Sequence, residues 1–346
     1  MDRIGRTRPG YGPGPLSAGT EDIMNTIHGL ADVSPVRRFV RGLCRAALTS
    51  TMIGFAIVTA AAAQQSFKTP QEAAETLVTA VRAGDRKAVD AILGPGAEQI
   101  ISSGDAVQDE NARKVFLVSY DVKHSVQTSG DKPATLLVGP DDYPFAIPIT
   151  KKGDSWMFDA AAGLVEVLAR RIGRNELAAI QVCLAYYDAQ YEYAETMPKV
   201  DDMAVYAQRV VSRPGKKDGL YWPSEEGQQQ SPLGEAVAAA SMRGYRVGSG
   251  EPFHGYYYKV LTRQGPNAPG GAHNFIVDGK MIGGFALIAW PAEYGNSGIT
   301  TFLISHDGAV YEKDLGKDTA KIASRTTAFN PDDTWKKAVI DTAQNK

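Results

Sequence analysis

The order of periodicities along this chain predicts an α+β fold, in which helices and antiparallel sheet occupy separate stretches rather than alternating. Before residue 122 the apolar residues recur at helical spacing, whereas between 134 and 158 they fall into short strand-like runs joined by turn residues. A second helical stretch at 164–196 then precedes a second set of strand-like runs at 255–314. The expectation is a set of N-terminal helices with a curved, cone-like antiparallel sheet, followed by a long helix packed on a C-terminal antiparallel sheet. With 346 residues, 43% of them hydrophobic and 22% charged, the chain is long enough for two cores and too apolar for wholesale disorder.

Residues 37–63, RRFVRGLCRAALTSTMIGFAIVTAAAA, place four arginines before an apolar run that ends with Ala61 and Ala63 at A-x-A spacing. That is the layout of a secretory signal peptide. The run is Ala- and Thr-rich, barely long enough to span a bilayer, and is followed by a helix start rather than a charged stop, so cleavage is favoured over a retained inner-membrane anchor. Residues 1–23 carry no periodic pattern, which makes Met24 a candidate true start. Arg37-Arg38 is off-spacing for a twin-arginine signal, and the general export route is expected. Removing residues 1–63 takes away seven of the 37 basic and four of the 39 acidic residues, leaving a net charge of −5. A mildly acidic protein is a poor ligand for phosphate backbones, so nucleic acid is not expected as a partner. Cys44 lies in the signal, and Cys183 is the one cysteine after it. No intrachain disulfide follows, and the fold must stand on its core.

The segment 66–162 is expected as the first domain. Its opening, SFKTPQEAAETLVTAVRAGD, carries a capping box at Thr69 and Glu72, a proline at the first helical position, an apolar stripe of Ala74, Leu77, Val78 and Val81, and Gly84 as terminator. Helices at 85–93 and 109–122 follow, then strands in ATLLVG, YPFAIPIT and DSWMFDA, with Trp156 and Phe158 on one face. The segment 164–317 is expected as the second domain. Leu164, Leu168, Ile172, Ile180, Leu184, Tyr187 and Tyr191 trace a helix, with a break or recap at Gly173 and Asn175. The Gly-, Pro- and Ser-rich region 212–250 reads as a long surface excursion. Asp278-Gly279 and Asp307-Gly308 mark hairpin turns among the strands that follow. In the strand FALIAW both faces are apolar, so both are expected to be covered: one by the helix at 175–195, the other by the first domain or a partner. Residues 318–346 read as a tail with a short helix.

KTPQEAAETLVTAVRAGD, ITKKGDSWMFDAAAG, RIGRNELAAIQVCLAYYDAQYEYA, FHGYYYKVLTRQG and GGFALIAWPAEYGNSGITTFLISHDGAVYEKDLG resemble a bacterial envelope family known as domain of unknown function 2950. The resemblance implies an exported protein of Gram-negative bacteria and brings no assigned functional residues. The helix-then-sheet order of the C-terminal half also resembles the globular heads of type IV pilins and pseudopilins. In those proteins the apolar helix runs directly into the head helix, whereas here a whole domain stands between, so only the head fold is implied. The first segment is similar in its order of elements to nuclear-transport-factor-like cones.

Reactive chemistry finds little footing in the sequence. Gly295-Asn296-Ser297-Gly298 is one residue short of a nucleophile elbow and is followed by a strand, which makes Ser297 a turn residue. His254, His273 and His306 lack metal-ligand spacing, and a site built from them would need the fold to bring them together. His306, beside Asp307-Gly308, is expected as a solvated turn residue. The acidic pairs Asp141-Asp142, Asp201-Asp202, Glu225-Glu226 and Asp332-Asp333 fall in loops or at helix starts, where carboxylates are readily solvated. No phosphate-cradling glycine loop is present. The sequence therefore assigns no catalytic residue, no cofactor and no metal.

Aromatic side chains offer the stronger signal, because Tyr and Trp are enriched at binding surfaces. The loop carrying Trp290, Glu293 and Tyr294 is the candidate binding loop. The favoured reading is a periplasmic, non-catalytic binding or assembly accessory whose partner is an envelope protein or polymer, touching the membrane only through the signal segment if that is uncleaved. Two alternatives are carried with it. One is an envelope-polymer hydrolase or metal-dependent enzyme using His254, His273 or His306. The other is a small-ligand carrier with Trp156 lining the cone of the first domain.

Overall fold

The computed structural model describes residues 64–339 apart from 131 and 226. The expected leader, the signal run and the Met24 start lie outside the described residues. Helix α1 (Pro70–Ala83) begins as its sequence dictates, with the Thr69 hydroxyl accepting from the Glu72 amide at 3.1 Å and the Glu72 carboxylate accepting from the Lys68 amide at 2.9 Å. Asp85 caps α2 (Arg86–Leu93). A short helix α3 (Ala97–Ile101), not anticipated from the sequence, comes next, and α4 (Ala106–Val122), capped by Asp105, starts three residues ahead of the expected Asp109.

Strands β1 (His124–Gln127), β2 (Thr135–Val138) and β3 (Tyr143–Pro144) pair antiparallel in that order, and β4 (Ile149–Lys152) pairs with β5 (Ser155–Phe158). Single bridges between Ala134 and Ile149 and between Phe67 and Trp156 carry the pairing across the gaps. Against these strands α1 and α2 bury Leu77 and Ile92, which meet Leu136, Ile147, Ile149 and Phe158, none more than 2% exposed. Trp156 packs at the margin of that core. The interior of the expected cone is thus occupied by the chain's own side chains.

Helix α5 (Ala160–Thr196) runs unbroken for 37 residues, about 55 Å at the standard rise. The break expected at Gly173 and Asn175 does not occur. An interior glycine costs a helix only about 1 kcal/mol relative to alanine, and here Ala169, Ile172 and Ala179 are all buried on either side of it. Packing outweighs the local preference. The first part of α5 lies on the first core, where Gly163 is pressed so close that a β-carbon would stand 2.8 Å from the Ile147 Cα. The second part contributes Ala179, Cys183, Tyr186, Ala189 and Tyr193 to the second core. Between the two, Leu168, Ile172 and Ile299 form a small cluster of their own.

Residues 212–250 are not purely a surface excursion. They carry α6 (Gly234–Met242), and Leu220 and Trp222 are inserted into the second core. Beyond them lie β6 (Tyr256–Leu261), β7 (Arg263–Gln264), β8 (His273–Asn274), β9 (Ile276–Val277), β10 (Lys280–Met281), β11 (Ala286–Pro291), β12 (Thr300–Ser305) and β13 (Val310–Asp314). The Asp278-Gly279 turn joins β9 to β10, with both turn residues at positive φ, and Asp307-Gly308 joins β12 to β13.

The main sheet is antiparallel in the order β15, β13, β12, β11, β6, where β15 (Lys336–Lys337) comes from the C-terminal segment that also holds α7 (Thr319–Arg325) and β14 (Ala328–Phe329). Helix α5 covers one face, against β11 and β12. The other face is covered by that C-terminal segment. Helix α7 lies on β11, Lys259 Nζ donates to the Ser324 carbonyl at 2.6 Å, and the Phe329 ring packs edge-on to Tyr311 at 5.7 Å. The supposed tail is thus an integral layer: β11 is apolar on both faces because the chain folds back over it. Among the described residues no helix is long and apolar enough to cross a membrane.

Phe329 is 1% exposed, so Phe329→Ala is expected to lower unfolding free energy by about 3–5 kcal/mol in a denaturant titration. A change near zero would return the segment to the status of a tail.

Candidate functional site

The loop from Trp290 to Ile299 leaves the end of β11 and returns as β12. Glu293 and Ser297 fold it on itself. The Ser297 hydroxyl accepts from the Glu293 amide at 2.9 Å and donates to the Glu293 carbonyl at 3.2 Å, while the Ser297 amide donates to the same carbonyl at 2.9 Å. Ser297 is fully buried in this turn, and its hydroxyl is committed at both lone pair and proton.

From there the loop is fastened to two other segments. Asn296 Nδ2 donates to the Ser102 carbonyl at 3.0 Å and to the Glu293 carboxylate at 2.7 Å, and Asn296 Oδ1 accepts from Arg171. Arg171, 6% exposed in the first third of α5, also donates to the carbonyls of Gln99 at 2.8 Å and Ile100 at 2.6 Å. Those carbonyls belong to the last turn of α3, which has no intrahelical donors for them and welcomes a cation. Burial lowers the guanidinium pKa from its ordinary value, and the nearby Asp109 and Glu293 carboxylates oppose that shift.

One turn further along α5, Asn175 accepts from Gln108 Nε2 at 2.7 Å and donates to the Ser297 carbonyl at 2.8 Å. Glu176 Oε1 accepts from the amides of Ile299 and Thr300, each at 3.0 Å. Burial raises the Glu176 carboxyl above its usual range, and the two amide donors oppose the shift. Asp105, 2% exposed, completes the junction. One oxygen caps α4 through the Gln108 amide at 2.9 Å, and the other accepts from Tyr245 Oη at 3.0 Å and the Gly255 amide at 2.9 Å.

The three residues of the candidate loop do not converge. Glu293 is exposed and lies over Gly104, where a β-carbon would come within 2.9 Å of its carboxyl carbon. Tyr294 donates to Asp314 at 3.0 Å and rests on the Leu168–Ile172–Ile299 cluster. Trp290 is half-buried against Tyr257, ring centroids 5.7 Å apart.

The histidines are likewise dispersed. His254, half-buried between Tyr245 and Phe253 at a positive φ of 51°, has its pKa pushed down to about 4 by burial, with the Arg243 charge adding to the effect. His273 and His306 both pack on Phe275. His306 is not a solvated turn residue: its ring turns inward over Gly284, its Nδ1 is buried without a partner, and burial lowers its pKa. Among the described residues no three His, Cys, Asp or Glu side chains are grouped to hold a metal.

Beside the junction lies a cleft of about 500 Å³, with Gly104, Asp105 and Lys114 on one wall and Arg243, Arg246 and Glu251 on the other. Arg171, Glu176 and Asp105 carry no mark in the sequence analysis, and Asn175 enters it only as a helix breaker. A signal for Arg171 and Asn175 existed, since Leu168, Arg171, Ile172 and Asn175 share one face of a helix, and a polar residue on an inward face needs a buried partner.

Two substitutions test the junction. Lysine cannot present a planar fork, so Arg171→Lys is expected to lose about 2 kcal/mol or more in urea unfolding; an unchanged midpoint would show that the α3 carbonyls do not need this donor. For Glu176 the raised folded-state pKa means that the folded chain holds this proton more tightly than the unfolded chain. Its contribution is therefore fully present below the unfolded pKa and lost as pH rises through the raised folded one. Glu176→Gln keeps the acceptor oxygen without the charge, and should be at least as stable as wild type at pH 8, with a flatter pH profile. Glu176→Leu should be less stable by about 1–3 kcal/mol, and equal loss in both variants would contradict the assignment.

Neither the curated proteins nor the solved structures contain a match to this chain. A family model described as "Protein of unknown function (DUF2950)" matches residues 64–338, nearly the whole of the described structure, and the chain belongs to that family.

Proposed function

We propose that the protein is exported to the periplasm and acts there by binding, without catalysis, as an accessory to an envelope assembly. The observation that carries this reading is the junction itself. Ser297, Asn296, Arg171, Asn175 and Asp105, the polar side chains best placed for chemistry, are engaged in bonds that join loop, helix and first domain. Groups committed in that way hold a surface in shape; they are not poised to move protons or attack a substrate. The surface so held includes the cleft between α4 and the turn 243–252, with one wall from each of these segments. Clefts of this kind between packed units are common ligand sites.

Export is supported by the signal layout of residues 37–63. Gln64, the residue after Ala63, is anchored to the first core, its side-chain Nε2 donating to the carbonyls of Ile92, Leu93 and Phe158 at 3.1, 2.9 and 2.7 Å. Removal of residues 1–63 would leave that anchor intact.

The protein recovered from cells is expected to begin at Gln64 on N-terminal sequencing. Photocrosslinkers placed at Asn111 and at Trp290 compare the cleft with the candidate loop, and a discrete envelope product is expected from the cleft position. Turnover of an envelope polymer by the purified protein, abolished by a single substitution at His254 or Ser297, would overturn the reading.

A further inference from the structure

The chemistry of the cleft's occupant can be read from the charges that line it. Six ionisable side chains do so: Asp105, Glu110, Lys114, Arg243, Arg246 and Glu251. Five have partners. Asp105 is held by three donors, Glu110 is paired with Arg113 and with Lys114 at 3.4 Å, and Arg246 is paired with Glu251 at 2.9 Å. Glu251 also accepts from Ser249 Oγ at 3.2 Å.

Arg243 remains. Its carbonyl accepts from Asn111 Nδ2 at 2.9 Å, which ties its backbone to α4 across the cleft. Its guanidinium has no acceptor among the described residues. The backbone beside it is held in an unusual shape: His254 has positive φ, Gly255 donates to Asp105, and Tyr245 donates to the same carboxylate. Strain of that kind persists only where the surroundings over-determine it, and it clusters at ligand sites.

We propose that this cleft binds an oxyanion group of an envelope component, a carboxylate or a phosphate, with Arg243 as its principal contact and Lys114 and Arg246 at the rim. A planar guanidinium matches two oxygens of either group at once, which a lysine cannot do. The volume of about 500 Å³ suits a small ligand or the end of a polymer chain rather than a folded partner. The competing account is a solvated surface arginine with no ligand. The two accounts differ in what happens when the neighbouring ion pair is opened: in the binding account Glu251 competes for Arg246, so its neutralisation strengthens the site.

This inference rests on the binding reading above and deepens it. The test uses the chain from Gln64 onward in calorimetric titrations with three probes: a short peptide with a free C-terminal carboxylate, the same peptide amidated, and inorganic phosphate. Binding of the acid and not the amide identifies a carboxylate, and binding of phosphate alone identifies a phosphate. With the probe that binds, Arg243→Gln should weaken affinity by about tenfold or more without moving the ligand-free thermal midpoint, and Glu251→Gln should strengthen it severalfold. Equal affinities in Arg243→Gln and wild type would overturn the proposal, as would no binding of any probe at millimolar concentration. If crosslinks from Asn111 persist in that case, the binding reading survives and only the anion assignment falls.

Discussion

One buried guanidinium holds the two cores in a single arrangement. Arg171 sits where α5 passes from the first core to the second, and its fork reaches the orphan carbonyls at the end of α3 and the Asn296 side chain of the β11–β12 loop. A charged group taken out of water is costly unless every donor finds an acceptor. Here the acceptors are backbone carbonyls fixed by a helix and a side chain fixed by a tight turn. Moving either element away would strand the charge, so the register between helix, loop and first domain is set by one side chain far more sharply than apolar packing alone could set it.

The long helix turns that local constraint into a global one. Because α5 is continuous over 37 residues, what is fastened at Arg171 and Asn175 fixes the orientation of the Cys183–Tyr193 portion on the sheet. The sheet in turn needs a cover on its other face, and α7 with Phe329 supplies it. The loop between β11 and β12 is therefore where one polar network and two apolar contacts meet, and its aromatic residues diverge for that reason. Tyr294 serves the central cluster and Trp290 the sheet. Glu293, though exposed, lies over Gly104 at the edge of the first domain.

The cleft follows from the same constraint. Asp105 joins the start of α4 to Tyr245 and Gly255, which brings the 243–252 turn alongside α4 and leaves a recess between them. A recess between two segments keeps its shape only if those segments do not shift, and the junction meets that requirement. The polar groups of the junction are buried and internally bonded, whereas the charged groups of the cleft face outward, and among the described residues the Arg243 guanidinium has no acceptor.

Local chemistry legible in the residues determined a good deal about this protein. The α1 capping box, the Asp-Gly hairpins, the α+β class and the two-faced apolar character of β11 all depend on neighbours a few positions apart, and each was readable. Family membership was readable too, from the specific runs around GYYYKVL and FALIAWPAEYGNSG. What only the tertiary structure decided is what covers and fastens those elements. Gly173 and Asn175 carry the local marks of a helix end, but packing on Ile172 and Ala179 and the bonds of Asn175 keep the helix whole. His306 has the sequence context of a solvated turn, but Phe275 and Phe285 draw its ring inward. Residues 318–339 look like a tail until they close over the sheet. Arg171, Asp105 and Arg243 are ordinary charges in the sequence, because whether a charge is paired, buried or left open depends on residues 70 to 150 positions away, and no short-range pattern encodes that distance.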